Sequence, residues 1–135
     1  MITALDSSVL LDVLANDPRH GAASFDAIEA CRAQGRLIVS PIVWAEVRAF
    51  FDSGETLRDN LRNAGISFDP IDEPTADLAG VMWKEYRRRG GKRERLLPDF
   101  LVAAHAKVRA ERFLTRDRGF FLRYFRGLEV IEPGS

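Results

Sequence analysis

The sequence contains few of the residues that build disulfide scaffolds, zinc sites or membrane spans. It has one cysteine, Cys31, so no internal disulfide can form, and its two histidines are too few and too scattered for a zinc site. The longest apolar runs are too short to cross a bilayer, and the first residues lack the basic and apolar segments of a signal peptide. We therefore expect a cytoplasmic protein with no membrane attachment.

The chain also lacks net charge, but its charges are unevenly distributed. Residues 1–83 carry 6 basic and 13 acidic side chains, whereas residues 84–126 carry 14 basic and 5 acidic ones. Arginine, which binds phosphate in a planar, bidentate way, outnumbers lysine 17 to 3. This asymmetry indicates either a polyanionic partner or a plain solvated surface. The basic run 84–95 leaves the same two alternatives open, as an RNA-binding loop or as a solvated one.

Short apolar segments alternate with longer segments of helical periodicity. We predict strands at residues 2–5, 36–39, 66–68, 113–115 and 129–131, with amphipathic helices between them. This order is typical of one α/β domain over residues 1–135, with a mainly parallel sheet of four to five strands flanked by helices. In such sheets, ligands bind beyond the carboxyl ends of the strands.

Four acidic residues fall at boundaries of these predicted elements. Asp6 directly follows the first strand, Asp117 follows the fourth, Glu46 lies early in the helix after the second, and Asp99 begins a helix behind Pro98. If the strands are neighbours, the four carboxylates meet in one cleft, where a divalent cation would relieve their repulsion and acidify water for attack on phosphorus. Taken singly, each acid is equally well explained as a helix cap or a surface group.

Four segments resemble the PIN-domain nucleases, and among them the VapC-like toxins of bacterial toxin–antitoxin systems. They are residues 2–12 (ITALDSSVLLD), 40–47 (SPIVWAEV), 97–106 (LPDFLVAAHA) and 114–121 (LTRDRGFF), and together they span nearly the whole chain. The order and spacing of the segments carry the resemblance, because each of them alone is a weak motif.

The resemblance implies a metal-dependent endoribonuclease that is a homodimer and is inhibited by an antitoxin whose C-terminal tail covers the cleft. Asp6, Glu46, Asp99 and Asp117 would hold Mg²⁺ or Mn²⁺. Ser7 and Thr115 match polar positions that support such a site. Phe100 replaces a smaller aliphatic residue of many relatives, which we expect to alter packing rather than metal binding. The RNA, the number of metal ions and the antitoxin are not specified by these motifs.

Other side chains have a functional and a structural interpretation. Arg116 and Arg118 flank Asp117 and are candidates for substrate contact, or else they balance the acidic cluster. The aromatic residues with helical spacing are expected to pack in the core or at a dimer interface rather than to stack bases; they are Trp44, Phe50, Phe51 and Trp83. His105 is expected to be structural, since it lies six residues after Asp99 on another face of its helix.

Other classes of protein are disfavoured by the segment after the first strand. Asp6-Ser7-Ser8 lacks the paired acids of a receiver domain, the Asp-x-Asp of haloacid-dehalogenase-like phosphatases and the glycine motif of dinucleotide-binding domains. The remaining alternative is a non-catalytic PIN-like module that binds RNA or protein. The intact acidic set argues against this alternative.

Overall fold

A computed structural model describes residues 1–91 and 96–134. These residues form five strands and seven helices. The strands are β1 (Ile2–Leu5), β2 (Arg36–Val39), β3 (Ile66–Phe68), β4 (Arg112–Leu114) and β5 (Glu129–Ile131). The helices are α1 (Ser7–Leu14), α2 (Gly21–Gln34), α3 (Pro41–Arg48), α4 (Gly54–Asn63), α5 (Glu73–Arg88), α6 (Leu97–Arg109) and α7 (Arg118–Tyr124).

The five strands form one parallel sheet in the order β3-β2-β1-β4-β5. The predicted α/β class and parallel sheet are therefore confirmed. The chain moves outward from β1 through β2 to β3, and then returns to the other side of β1 to form β4. The strand order thus reverses between β1 and β4, and the crevice beyond such a reversal is where open parallel sheets bind ligands.

The central strands are buried on both faces, which explains their uninterrupted apolar sequences. Ala4, Leu5, Ile38 and Phe113 are each at most 2% exposed. Several helices begin at side-chain caps: Ser40 accepts a hydrogen bond from the backbone amide of Val43, and Ser53 and Asp72 cap α4 and α5 in the same way. The caps at Ser40 and Asp72 fix where the chain turns into α3 after β2 and into α5 after β3, whereas α4 follows α3.

Two local features differ from the sequence expectation. The helix α3 ends at Arg48, so Phe50 and Phe51 lie in the following turn, and Phe50 is 69% exposed rather than packed. The helix α7 was not predicted, because its sequence RGFFLRY is too short to show a clear helical period.

The helix α7 is held by a cluster of aromatic rings. Phe120 packs edge-on against Phe100 at a centroid distance of 5.9 Å, and Phe121 packs against Phe113 at 4.8 Å. Phe100 is 1% exposed at the centre of this cluster, in keeping with its expected role in packing.

No helix within residues 1–91 and 96–134 has both the length and the apolar character needed to cross a bilayer.

Candidate active site

The carboxyl edge of the sheet carries Asp6 at the point where β1 turns into α1. The backbone amide of Asp6 donates to the carbonyl of Leu114 at 3.0 Å, which ties this position to β4. One carboxylate oxygen of Asp6 caps α1 by accepting from the Ser7 amide at 2.8 Å. The other accepts from the Thr115 hydroxyl at 2.6 Å, and Ser8 lies 3.5 Å from the same oxygen. All three donors are neutral, so none of them compensates the charge of Asp6.

Thr115 links Asp6 to Asp117 through a single buried hydroxyl. While it donates to Asp6, this hydroxyl accepts the backbone amide of Asp117 at 3.0 Å. Thr115 is fully buried, so the link is rigid. The side chain predicted to support the site therefore contacts two of the four predicted acids.

Asp99 enters the cleft from the first turn of α6. One of its carboxylate oxygens accepts the backbone amide of Leu96 at 3.3 Å, so it helps to cap the helix. Its negative charge also raises the pKa of both Asp6 and Glu46. Asp99 therefore has the structural role of a cap and is also part of the acidic cluster.

The charges of neighbouring acids affect the ionisation of two of the four predicted acids, Asp6 and Glu46. Burial raises the pKa of Asp6 most, the hydrogen bonds from Thr115 and Ser7 oppose this, and the charges of Asp99 and Asp117 raise it further. Glu46, on an exposed turn of α3, has its pKa raised by partial desolvation and then by the charge of Asp6. Ser7 hydrogen-bonds Glu46 and partly offsets this rise. The cleft thus concentrates negative charge, and among the described residues no cationic side chain hydrogen-bonds Asp6.

The described side chains do not form a ready-made coordination shell: among residues 1–91 and 96–134, no three His, Cys, Asp or Glu side chains are arranged to hold a metal ion. The donor chemistry nevertheless fits a hard divalent cation. Mg²⁺ prefers carboxylate oxygens and keeps several waters, so it does not need all four acids in direct contact.

Arg116 lies beside the cleft, and its guanidinium is directed towards Asp12. Its Nε and one Nη donate to the two carboxylate oxygens of Asp12 at 2.7 and 3.0 Å. The hydroxyl of Ser24 also donates to Asp12, at 2.7 Å, and Asp12 is 3% exposed. The Arg116 amide donates to Ser8 at 3.3 Å, so this network anchors the segment that carries Asp117. The geometry favours a positioning role for Arg116 over substrate contact.

Asp12 is a functional candidate that sequence reasoning missed. It lies in the first recognised segment, and the only indication in the sequence is an acid within an otherwise apolar helical stretch. Its partner Arg116 is 104 positions away in the chain.

The second arginine beside Asp117, Arg118, is exposed. Its Nε lies 3.4 Å from the Val130 carbonyl, so much of its guanidinium faces solvent.

His105 and Arg109 lie on α6 but serve a separate polar cluster. His105 Nε2 is 2.8 Å from Asp69, and Arg109 donates two hydrogen bonds to Asp69 at 2.9 and 3.0 Å. Arg109 lowers the pKa of Asp69 most, and burial lowers the pKa of His105. The structural role predicted for His105 is confirmed.

The basic run 84–95 is largely helical where the structure describes it. Lys84, Arg87 and Arg88 belong to the end of α5, where cations stabilise the helix dipole, and Arg87 stacks over Trp83 at 4.9 Å. The expectation of a flexible loop is therefore wrong for this part of the run. Lys92, Arg93 and Arg95 lie outside the described residues.

Three solved structures share this fold across nearly their whole length. VapBC2 from Rickettsia felis, solved bound to a DNA fragment from its promoter, is 18% identical with a TM-score of 0.75, covering 98% of each chain. A toxin–antitoxin complex from Klebsiella pneumoniae is 22% identical with a TM-score of 0.65, covering 96% of this chain and 95% of the other. FitAB bound to an IR36 DNA fragment is 26% identical with a TM-score of 0.65, covering 98% and 95%.

Comparison with curated proteins finds no significant sequence match. Comparison with protein families finds one that accounts for the fold: the PIN domain, which matches residues 3–125 and therefore includes all four predicted acids. The chain belongs to the PIN-domain family.

Proposed function

We propose that this protein is a Mg²⁺- or Mn²⁺-dependent endoribonuclease and the toxin of a toxin–antitoxin pair. The observation that carries the proposal is the acidic cleft at the reversal of strand order, where the hydrogen-bond donors to Asp6 within residues 1–91 and 96–134 are the Ser7 amide and the Ser8 and Thr115 hydroxyls. A concentration of carboxylates at such a position is suited to a divalent cation. The membership in the PIN-domain family points to the same chemistry.

The proposed metal-holding residues are Asp6, Glu46, Asp99 and Asp117. When bound, the cation would neutralise phosphate charge and make the attacking water more acidic. Thr115 holds Asp6 and Asp117 in a fixed relation, and Ser7 restrains Glu46. Arg118, which is exposed beside Asp117, is the proposed phosphate contact.

The test is cleavage of purified tRNA and rRNA with Mn²⁺ or Mg²⁺ and with EDTA. Asp6→Asn preserves the size of the side chain and should lower cleavage by at least about a hundredfold, because the charge that attracts the cation is removed. Asp59→Asn is the matched control, since it removes the same charge from an exposed position on α4. Cleavage that persists in EDTA, or in Asp6→Asn at the parental rate, would exclude this site.

The antitoxin partner is proposed because solved structures with this fold are toxin–antitoxin complexes. Large apolar side chains at the surface, Phe25, Phe50 and Phe68, provide area for an interface with an antitoxin or with a second copy of the chain. Expression should arrest growth, and Asp99→Ala should relieve the arrest. Light scattering of the purified chain should give the mass of a homodimer.

A further inference from the structure

A cavity lies outside the carboxylate cleft, between α5, α6 and the end of α7. It has a volume of about 840 Å³ and is open to solvent. Its wall combines basic side chains with aromatic rings, a composition that differs from the acidic cleft. Neither the metal-holding residues nor the Asp12–Arg116 network contributes to it.

The charge of this cavity is strongly positive. Arg89, Lys107, Arg123 and Arg126 line it, and Glu85 is the single acid among the described lining residues. Glu85 is already bonded to Arg88 at 2.6 Å and to Arg89 at 3.2 Å. Within residues 1–91 and 96–134, Lys107, Arg123 and Arg126 form no ion pair, so the cavity presents cations that no described carboxylate neutralises.

Aromatic rings form the inner wall and the rim of the cavity. Tyr86 and Phe100 are buried, with a centroid distance of 5.3 Å. Tyr124 packs edge-on against Tyr86 at 5.1 Å but remains 38% exposed. The guanidinium of Arg123 lies 5.5 Å from the Tyr124 ring, as in cation–π pairs. Tyr124 therefore offers a positioned ring at the rim, with a cation beside it.

The cavity and the acidic cleft are connected through α6. Asp99 belongs to the cleft, and the next residue, Phe100, lines the cavity. Helix α6 therefore contributes a side chain to each of the two places.

We propose that this cavity is an accessory site for single-stranded RNA, in which Lys107, Arg123 and Arg126 contact phosphates and Tyr124 stacks against a base. The assignment rests on the proposed function, since it describes how the same substrate is held away from the cleft. RNA is favoured over an acidic polypeptide because cations interleaved with an exposed ring match alternating phosphates and bases. The planar guanidinium of arginine also matches the geometry of phosphate better than the point charge of a lysine ammonium does.

The test is the affinity of Asp6→Asn protein for a short labelled oligouridylate, measured by fluorescence anisotropy over a range of salt concentrations. This background prevents cleavage during the measurement. Adding Arg123→Gln and Arg126→Gln should weaken binding by about tenfold and reduce the slope of log affinity against log salt by about 1.4, because two phosphate contacts are lost. The matched control adds Arg58→Gln and Arg62→Gln, two exposed positions on α4 that lie outside the cavity. An equal loss in both double variants would overturn the proposal, since it would reflect overall charge alone.

Binding measurements on the Tyr124→Leu variant distinguish a site for RNA from a site for any polyanion. We expect this variant to weaken oligouridylate binding by about fivefold while leaving the binding of inorganic polyphosphate unchanged, because only RNA has bases to stack. If polyglutamate displaces RNA as well as unlabelled oligouridylate does, and Tyr124→Leu affects neither, the RNA assignment is wrong. Thermal melting of each variant identifies loss of fold, and Arg126→Gln alone provides a milder substitution. If the protein binds RNA at this site but shows no metal-dependent cleavage, the proposed function is wrong and the accessory RNA site is still supported.

Discussion

Four carboxylates of this protein fall into two groups that differ in their partners. Asp12 and Asp69 each receive two hydrogen bonds from one arginine, and each also contacts a further polar side chain. Within residues 1–91 and 96–134, Asp6 accepts hydrogen bonds from neutral donors, and Glu46 lies beside the charge of Asp6. The pKa of Asp69 is accordingly lowered, first by Arg109, whereas burial raises the pKa of Asp6.

The difference in partners separates acids whose charge stabilises the folded state from acids whose charge destabilises it. A carboxylate paired with arginine is stabilised in its charged form, whereas a desolvated carboxylate without a cation opposes folding when it ionises. The unpaired group is found where the strand order reverses, which is the place where a ligand is expected. The predictions below test this division, beginning with the largest effect.

Removing Asp12 should have the largest effect on stability. Asp12→Ala leaves Ser24 and Arg116 without their shared partner, and because Arg116 is 35% exposed, solvent compensates only part of the loss. We expect a decrease of about 3 kcal/mol in the free energy of unfolding, measured by urea denaturation. Asp26→Ala, at an exposed position on α2, should change it by less than about 0.5 kcal/mol. Equal effects of the two substitutions would show that the buried pair has no special role.

Removing Asp69 should be the next most disruptive change. Asp69→Ala deprives the buried His105 ring of its hydrogen bond, but Arg109 is half-exposed and can be solvated. We expect a loss of about 2 kcal/mol in the same assay. Asp77→Ala, an exposed position on α5, is the control and should be close to neutral. If Asp77→Ala loses as much stability as Asp69→Ala, the pairing of Asp69 with Arg109 and His105 makes no special contribution to stability.

The unpaired group should respond in the opposite direction. Asp6→Asn removes a charge whose folded-state pKa is raised, and it keeps an oxygen that can accept from Thr115. At neutral pH and in EDTA, this variant should be more stable than the parent by about 1 kcal/mol, equivalent to an increase of about 3–5 °C in melting temperature. A decrease of similar size would mean that the charge of Asp6 contributes favourably to the fold.

The smallest expected effect is a dependence of stability on pH through His105. Burial lowers the pKa of His105 below its ordinary value of 6.5, so the unfolded chain takes up this proton at a higher pH than the folded chain does. Stability contributed by neutral His105 is therefore lost as the pH falls below about 6.5. The parent should lose stability relative to His105→Gln between pH 7 and pH 5. A stability difference that stays constant over this range would contradict the assignment.

Local sequence predicted the scaffold and the positions of the four acids well. The apolar segment 2–5 followed by Asp6 already specifies a strand, a turn and a helix cap. The partners of Asp12 and Asp69 could not be predicted in the same way, because Arg116 and Arg109 approach them only after the sheet has assembled. The helix α7 was missed for a related reason: its seven residues depend on ring contacts with Phe100 and Phe113 rather than on a local period.

The central claim is that the carboxylates of the cleft attract a divalent metal. It is tested most directly by thermal melting of metal-free protein with increasing Mn²⁺, comparing the parent with Asp6→Asn and Asp59→Asn. Binding of the folded state at ten to a hundred times the dissociation constant contributes about 1.4–2.7 kcal/mol, so the parent and Asp59→Asn should melt about 4–8 °C higher. Asp6→Asn should shift by less than half as much. No shift in the parent, or the same shift in Asp6→Asn, would contradict the account.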